Sequence, residues 1–365
     1  MLVKPTEPIY VTRPSLPPLD EYVELLQGVW ERGILTHHGP LVQQLEADLT
    51  RRLRVSNLVV VINGTVAIEF ALRVFDLEGE VITTPFTWIA TSSAVTWQRC
   101  QPVFVDVQPD TFNIDPEQIE ARITSRTRAI LGVHVFSNPC EVEAIDAIAR
   151  KHNLRVIYDA AHALFVNYHG RSLLEYGDVS ATSFHATKIF QTGEGGACVA
   201  RDPDVAKRLR RLRFFGHNEN KEIVDIGTNG KMTEIHAAMG LALLPHMGSV
   251  LANRRRKYTL YQQLLSECPF ISFQKFQPES YNYSYMPVLF RDEAQLLEME
   301  ERLQKNNIVP RRYFYPSLNT VKILGQSGSF PVAEDLARRV LCLPLYDTLS
   351  EEQIEFICSV IKARL

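Results

Sequence analysis

Between residues 58 and 200 the chain alternates short, almost wholly apolar runs with longer amphipathic ones. Leu58, Val59, Val60, Val61 and Ile62 form the first run, and further runs read as strands at 80–84, 102–106, 128–133, 154–159, 179–184 and 196–200. Runs that are apolar at every position, rather than at every second one, predict strands covered on both faces and so a mostly parallel sheet. Seven strands are expected. Residues 66–75 read as an apolar helix carrying Glu69 and Arg73 four positions apart. Residues 141–152 read as a helix with acids first and bases last, as the helix dipole favours.

Two helices precede this pattern. Residues 18–33 form one, with Asp20 as cap, Gly33 as stop, and Val23, Leu26 and Trp30 on one apolar face. The other follows Pro40, with Leu41, Leu45, Leu49 and Leu53 at helical spacing. Beyond about residue 245 the rhythm changes. A helix containing 253–257 and helices at 292–306, 331–340 and 350–365 alternate with strands at 284–290, 309–315 and 341–345. Ser350 and Gln353 form a capping box for the last helix. The expectation is an α/β protein with a large domain over 1–245, which includes the N-terminal helices, and a smaller α/β domain over 246–365.

Composition narrows the function. The chain has 365 residues, 45% of them hydrophobic and 22% charged, the proportions of an ordinary globular protein. A net charge of −3 supplies no global field for nucleic acid or an anionic membrane. The six cysteines lack C-x-x-C spacing and read as free thiols in a reducing compartment. No signal-type apolar core is read near residue 1, and no stretch reaches the length of a membrane span. A cytoplasmic protein is expected, with no metal.

The candidate chemistry lies where strands end. Asn63, Gly64 and Thr65 follow the first strand and open a helix, so the amides of Gly64, Thr65 and Val66 should face outward as a phosphate seat. Trp88 follows the second strand and can lie flat on a ring. Asp159 ends another strand, and His162 comes three residues later. Ser183 and Lys188 follow the next, ahead of Gly193, Glu194, Gly195 and Gly196. Taken singly, each has a plainer reading: a tight turn, a core tryptophan, a helix cap, a core histidine, a strand hydroxyl, a surface lysine. Together they form an ordered series of phosphate turn, aromatic ring, carboxylate and lysine. Pyridoxal phosphate needs that set, with an amine to join its aldehyde and a carboxylate to keep its pyridine nitrogen protonated.

The same residues resemble the DegT/DnrJ/StrS-type sugar aminotransferases over nearly the whole chain. The likeness runs through Gly39-Pro-Leu-Val-Gln-Gln-Leu-Glu46, Asn63-Gly-Thr-Val-Ala67, Thr84-Pro-Phe-Thr-Trp88 and Pro102-Val-Phe-Val-Asp-Val107. It continues through Asp115-Pro-Glu117, Tyr158-Asp-Ala-Ala-His162, Ser183-Phe-His-Ala-Thr-Lys188, Glu194-Gly-Gly196 and Leu343-Pro-Leu345. The resemblance implies the aspartate-aminotransferase fold (pyridoxal-phosphate fold type I), with pyridoxal 5'-phosphate as cofactor. It implies that Lys188 joins the cofactor and shuttles protons. Asp159 would hold the ring nitrogen, Trp88 would cover the ring, and Gly64, Thr65 and Ser183 would hold the phosphate. His162 would touch the phenolic oxygen. It also implies a homodimer with shared sites, in which Asn229 reaches the neighbouring subunit's cofactor phosphate. The family's Gly-Tyr-Asn-x-Arg segment is Gly227-Thr-Asn-Gly-Lys231 here, so the tyrosine and arginine are replaced.

The implied reaction moves an amino group from L-glutamate to a keto sugar linked to a nucleotide. His185-x-x-Lys188 and the run Val11-Thr-Arg-Pro-Ser-Leu-Pro-Pro18 are most similar to the branch acting at carbon 4 of dTDP-4-keto-6-deoxyglucose for bacterial surface polysaccharide (O-antigen, lipopolysaccharide). Tyr313 and Tyr315 are candidates for the sugar pocket. Arg254, Arg255 and Lys257 read as a solvated helix face, with contact to the sugar diphosphate as the alternative. UDP- or GDP-linked sugars, amination at carbon 3 and a binding-only protein remain open alternatives. A dehydratase of the same scaffold would carry histidine in place of Lys188.

Overall fold

In a computed structural model of the chain, which describes residues 4–276, 279, 281–325 and 328–363, the seven expected strands form one sheet. They are β1 (Leu58–Val61), β2 (Glu80–Thr83), β3 (Gln101–Phe104), β4 (Thr127–Val133), β5 (Arg155–Asp159), β6 (Val179–Ser183) and β7 (Gly196–Ala200). Their spatial order is β1-β7-β6-β5-β4-β2-β3. All pairs are parallel except those made by β7, which runs antiparallel to both β1 and β6.

Helices cover both faces, which is why the strands are apolar throughout. Val59 and Val61 turn to one face, where α3 (Gly64–Arg73), α4 (Ile89–Trp97) and α6 (Pro203–Leu212) supply Ile68, Val95 and Leu209. Val60 turns to the other, against Leu45 and Leu49 of α2 (Pro40–Leu53) and Ala237 and Leu241 of α7 (Glu234–Leu243). Helix α5 (Val142–His152) adds Ile145 to that second face.

Helix α1 (Leu19–Arg32) departs from expectation at its start and on its buried face. Its N-cap is Pro18, with no side-chain cap bond, and Asp20 stands in the first turn. Val29 is its buried residue, while Val23 and Trp30 are exposed. The helix docks along the stripe of Tyr22, Leu25, Leu26 and Val29, offset from the one read in the sequence. Gly33 ends it at a φ of 63°, as expected.

The C-terminal part is built on α8 (Met247–Leu265) and a three-stranded antiparallel sheet of β8 (Ile271–Ser272), β9 (Met286–Phe290) and β10 (Val340–Leu343). Helices α9 (Glu293–Lys305), α10 (Pro331–Arg339) and α11 (Glu351–Lys362) pack on it. The Ser350–Gln353 capping box forms, and the last two residues assigned to that helix lie outside the described residues. The run 309–315 is not a strand. Ile308–Val309 pairs in parallel with Ile9–Tyr10, and Arg311 makes a single antiparallel bridge to Cys342; Pro310 between them has no N–H to give a ladder.

The helical stretch Glu234–Leu265, interrupted by a 3₁₀ turn at Leu244–His246, is long and apolar enough to cross a membrane, contrary to the sequence reading. Half of its apolar window is buried against the rest of the protein. All six cysteines are free and buried.

Candidate active site

A cavity of about 420 Å³ opens at the carboxyl ends of β1, β2, β5 and β6, as expected of an open parallel sheet. It gathers Gly64, Thr65, Trp88, Asp159, His162, Ser183, Lys188 and Tyr313 from the sequence reading. A larger open cavity of about 1140 Å³ between α2 and α8 holds none of them.

At its floor, Asp159 ends β5 with its carboxylate buried. Oδ2 accepts the Thr91 hydroxyl at 2.7 Å, and Oδ1 accepts the Ala161 amide at 3.1 Å. Burial raises its pKa, and the two hydrogen bonds and the nearby Lys188 charge oppose that rise. The carboxylate has no salt-bridge partner among the described residues, so a protonated ring nitrogen would supply the missing countercharge.

Lys188 sits in the loop after β6, whose turn is closed by the Lys188 amide donating to His185 O at 2.8 Å. Its amine donates to Tyr285 Oη at 3.4 Å and lies 5.8 Å from that ring's centroid. Desolvation lowers its pKa to about 8, against an opposing pull from Asp159. A substantial neutral fraction near neutral pH suits an amine that must attack a carbonyl.

His162 is held neutral, since burial and the Lys188 charge both push its pKa well down. Its Nδ1 accepts the Phe136 amide at 3.3 Å, which places the proton on Nε2. Phe136 and Phe314 lie parallel to the imidazole, each with its centroid 6.1 Å away.

The phosphate seat is smaller than read from the sequence. Asn63 Oδ1 accepts the Val66 amide at 2.9 Å, which removes Val66 from the set. Gly64 and Thr65 remain, the first two amides of α3, with no intrahelical acceptor. Two glycines bring this turn close to β6 and β7. A Cβ on Gly64 would stand 2.6 Å from Ser183 Cβ, and one on Gly196 would stand 2.7 Å from the Asn63 carbonyl. Amides at a helix start, the Thr65 and Ser183 hydroxyls, the buried carboxylate and the low-pKa amine together fit pyridoxal phosphate.

Other sequence candidates fall elsewhere. Tyr315 lies outside the cavity, exposed, with the Arg312 guanidinium 3.6 Å over its ring. Asn229 is exposed and lies outside this chain's cavity. Arg254 and Lys257 are buried rather than solvated. Arg254 donates to the carbonyls of Tyr283 at 3.0 Å and Ser284 at 2.7 Å, and so fixes the segment that presents Tyr285. Lys257 donates to the carbonyls of Tyr346 and Asp347.

Three cavity-region residues were not read from the sequence. Thr91 is hidden in the first turn of α4, Tyr285 in an apolar strand run, and Arg311 beside a second arginine.

The matches to known proteins agree with this geometry. Residues 19–362 match the model of the DegT/DnrJ/EryC1/StrS aminotransferase family. A dTDP-4-amino-4,6-dideoxy-D-glucose transaminase of Shigella dysenteriae is 41% identical over 98% of this chain and 99% of its own length. Its counterpart in Escherichia coli is 39% identical over the same shares. The crystal structure of DesI in the presence of its TDP-sugar product superposes with a TM-score of 0.92 at 33% identity, covering 98% of this chain and 93% of that one. Helicobacter pylori PseC, an aminotransferase of pseudoaminic acid biosynthesis, gives 0.91 at 26% identity, covering 98% and 99%. The chain is therefore a pyridoxal-phosphate-dependent sugar aminotransferase of fold type I and belongs to the DegT/DnrJ/EryC1/StrS family.

Proposed function

We propose that this enzyme transfers the amino group of L-glutamate to carbon 4 of dTDP-4-keto-6-deoxyglucose, giving dTDP-4-amino-4,6-dideoxyglucose. The observation that carries the reaction type is the placing of the Lys188 amine and the buried Asp159 carboxylate in one cavity, each perturbing the other's pKa. The substrate rests on the 41% and 39% identical relatives, whose names specify that product and which match this chain almost end to end.

When bound, pyridoxal phosphate supplies an electron-accepting ring conjugated to the carbon that gains or loses the amine. The rest falls to the chain. Gly64, Thr65 and Ser183 hold the phosphate end. Asp159 keeps a proton on the ring nitrogen. Trp88 covers one ring face, and His162 donates its Nε2 proton toward the phenolic oxygen. Lys188 Nζ, neutral in a desolvated pocket, takes a proton at one carbon and returns it at another. Tyr285 orients that amine, and Tyr313 walls the sugar side.

The working unit is a homodimer of two-domain subunits (1–245 and 246–365) with shared sites. Leu16, Leu19, Trp30 and Trp97 are all more than two-thirds exposed, large apolar side chains of the kind a second subunit would cover. In that dimer Asn229 reaches the other subunit's cofactor phosphate. Lys231 donates to Asn229 Oδ1, which leaves the amide NH₂ free for an anion. The product feeds O-antigen or lipopolysaccharide assembly, and the enzyme acts in the cytoplasm.

The test is a panel of dTDP-, UDP- and GDP-linked 3-keto and 4-keto sugars, each incubated with L-glutamate and analysed by mass spectrometry. Amination of dTDP-4-keto-6-deoxyglucose at the highest kcat/KM is expected. Preference for a GDP- or UDP-linked sugar, or for carbon 3, would overturn the substrate assignment. A protein whose cofactor spectrum ignores every amino acid would overturn the transaminase reading.

A further inference from the structure

The larger cavity, of about 1140 Å³ between α2 and α8, shares no residue with the active site and has a lining chemistry of its own. Arg52 and Arg54 line it from the end of α2, and Arg255 and Arg256 from the exposed side of α8. Its two acids are engaged: Glu351 pairs with Arg256 at 2.8 Å, and Glu279 accepts the Gly170 amide at 2.9 Å. The guanidinium groups of Arg52, Arg54 and Arg255 have no carboxylate or hydrogen-bond partner among the described residues. Much of the remaining lining is aromatic. Phe165 comes from the loop after β5, and Phe276, Tyr281 and Tyr283 come from the chain between β8 and β9. Phe276 stacks on Tyr281 with centroids 4.6 Å apart, and Tyr283 stands edge-on to Tyr281 at 5.1 Å.

We propose that this cavity is a second binding site, which takes a nucleoside triphosphate as an effector of the transaminase. A guanidinium fork matches phosphate oxygens in bidentate geometry, and three unpaired forks call for a ligand with several phosphates. Aromatic faces take a planar base by stacking, with little regard to which base it is. A simple anion would leave the aromatic lining unused, and an apolar ligand would leave the arginines unused. Ligand cavities usually enclose about 300–1,000 Å³, so this one has room for a whole nucleotide.

Two short segments run from this cavity to the active site. Tyr281 and Tyr283 line the outer cavity, whereas Tyr285, the next residue but one, lines the active site and accepts from the Lys188 amine at 3.4 Å. Phe165 lines the outer cavity three residues after His162, which lines the active site. Asn282 ties the two segments together, its side-chain amide donating to His162 O at 2.6 Å and to Leu164 O at 2.8 Å. A base stacked on the aromatic lining therefore bears on the segments that present Tyr285 and His162. Such a ligand changes turnover through its different affinities for two arrangements of those segments. The effector role rests on the transaminase activity proposed above, whereas nucleotide binding stands without it.

The test uses the holoprotein at fixed ionic strength, with ATP and inorganic tripolyphosphate as probes in equilibrium dialysis. The wild type should bind ATP, and tripolyphosphate about tenfold more weakly for want of a base to stack. The triple variant Arg52→Gln, Arg54→Gln, Arg255→Gln should bind ATP about 100-fold more weakly, while its kcat and KM without ATP stay at wild-type values. Phe276→Ala should bring ATP and tripolyphosphate to nearly equal affinity. At saturating keto sugar and L-glutamate, where competition at the active site is overcome, ATP should change the wild-type kcat by about fivefold and leave the triple variant unaffected. No ATP binding to the wild type, or equal binding to the triple variant, would overturn the site. Tripolyphosphate binding as tight as ATP would overturn the nucleotide. An unchanged kcat with ATP bound would overturn the effector role, and a protein that binds ATP at these arginines but does not transaminate would overturn the proposed function and leave the site standing.

Discussion

The Thr91 hydroxyl donates to Asp159 Oδ2 at 2.7 Å while Thr91 Oγ1 stands 2.8 Å from Thr87 Oγ1. This chain of hydroxyls, running from the first turn of α4 to the end of β5, aims a carboxylate that burial alone would drive toward its neutral form. In the function proposed above, this is the device that would keep Asp159 able to hold a cationic ring. Replacing Asp159 by Asn should leave the fold intact, because the amide oxygen can still accept from Thr91. The countercharge is lost, however, and removing one member of a buried pair costs about 3 kcal/mol, or roughly two decades of affinity. Cofactor retained after dialysis, read by absorbance, measures this. Thr91→Val should show the same effect at about a tenth of the size.

The Lys188 amine predicts a pH dependence with a definite sign. Its folded pKa is about 8, below the usual lysine value. Loading of cofactor onto the apoprotein requires the neutral amine, so the loading rate should rise with pH and level off above about 8. The same shift links to stability. Between its folded and unfolded pKa values the unfolded chain binds more protons, so the apoprotein gains stability as pH rises from about 8 toward the unfolded value of ~10.4. Lys188→Met should therefore stabilise the apoprotein at pH 7, and that advantage should shrink as pH climbs through this window. Denaturant midpoints across pH check it; an advantage that grows with pH would contradict the direction of the shift.

Gly64 predicts a packing effect on cofactor affinity. Alanine there would put a Cβ 2.6 Å from Ser183 Cβ, and both neighbours belong to rigid elements. The start of α3 must move away from β6, which spreads the phosphate donors. A fall of about tenfold or more in cofactor affinity is expected, with far-ultraviolet circular dichroism unchanged. Equilibrium dialysis gives the affinity.

Shared sites predict complementation. Mixed dimers of Lys188→Ala and Asn229→Ala subunits each hold one site free of either substitution. Roughly a quarter of wild-type activity should appear when the two inactive or impaired variants are mixed and re-equilibrated, because random pairing makes half the dimers mixed and each has one intact site. Activity equal to the sum of the separate variants would place Asn229 outside the partner's site.

Much of this was legible in the chain because one physical rule governs it. Strands covered on both faces are apolar throughout, so the seven strands stood out, and polar residues at their ends had to serve a turn or a ligand. Lys188 and Asp159 were read that way, and Gly64 from the turn beside them; all three line one cavity. Arg254 and Lys257 were misread because a basic run looks solvated, whereas α8 turns residues 254, 257, 258 and 261 to its buried side. Their charges are met by backbone carbonyls, which leave no mark in the sequence. Tyr285 and Arg311 escaped because their place in the site arises only when the C-terminal segments fold back over the sheet. The aromatic cluster around Phe86, Phe136, Tyr285 and Phe314 joins residues roughly two hundred positions apart, and no local spacing announces it.

The most direct test of the central claim is borohydride reduction of the holoprotein, followed by proteolysis and peptide mass mapping. The account predicts a single reduced cofactor adduct, on the peptide that contains Lys188, and none in Lys188→Ala. An adduct on another lysine of the cofactor-bound protein, or none at all, would contradict it.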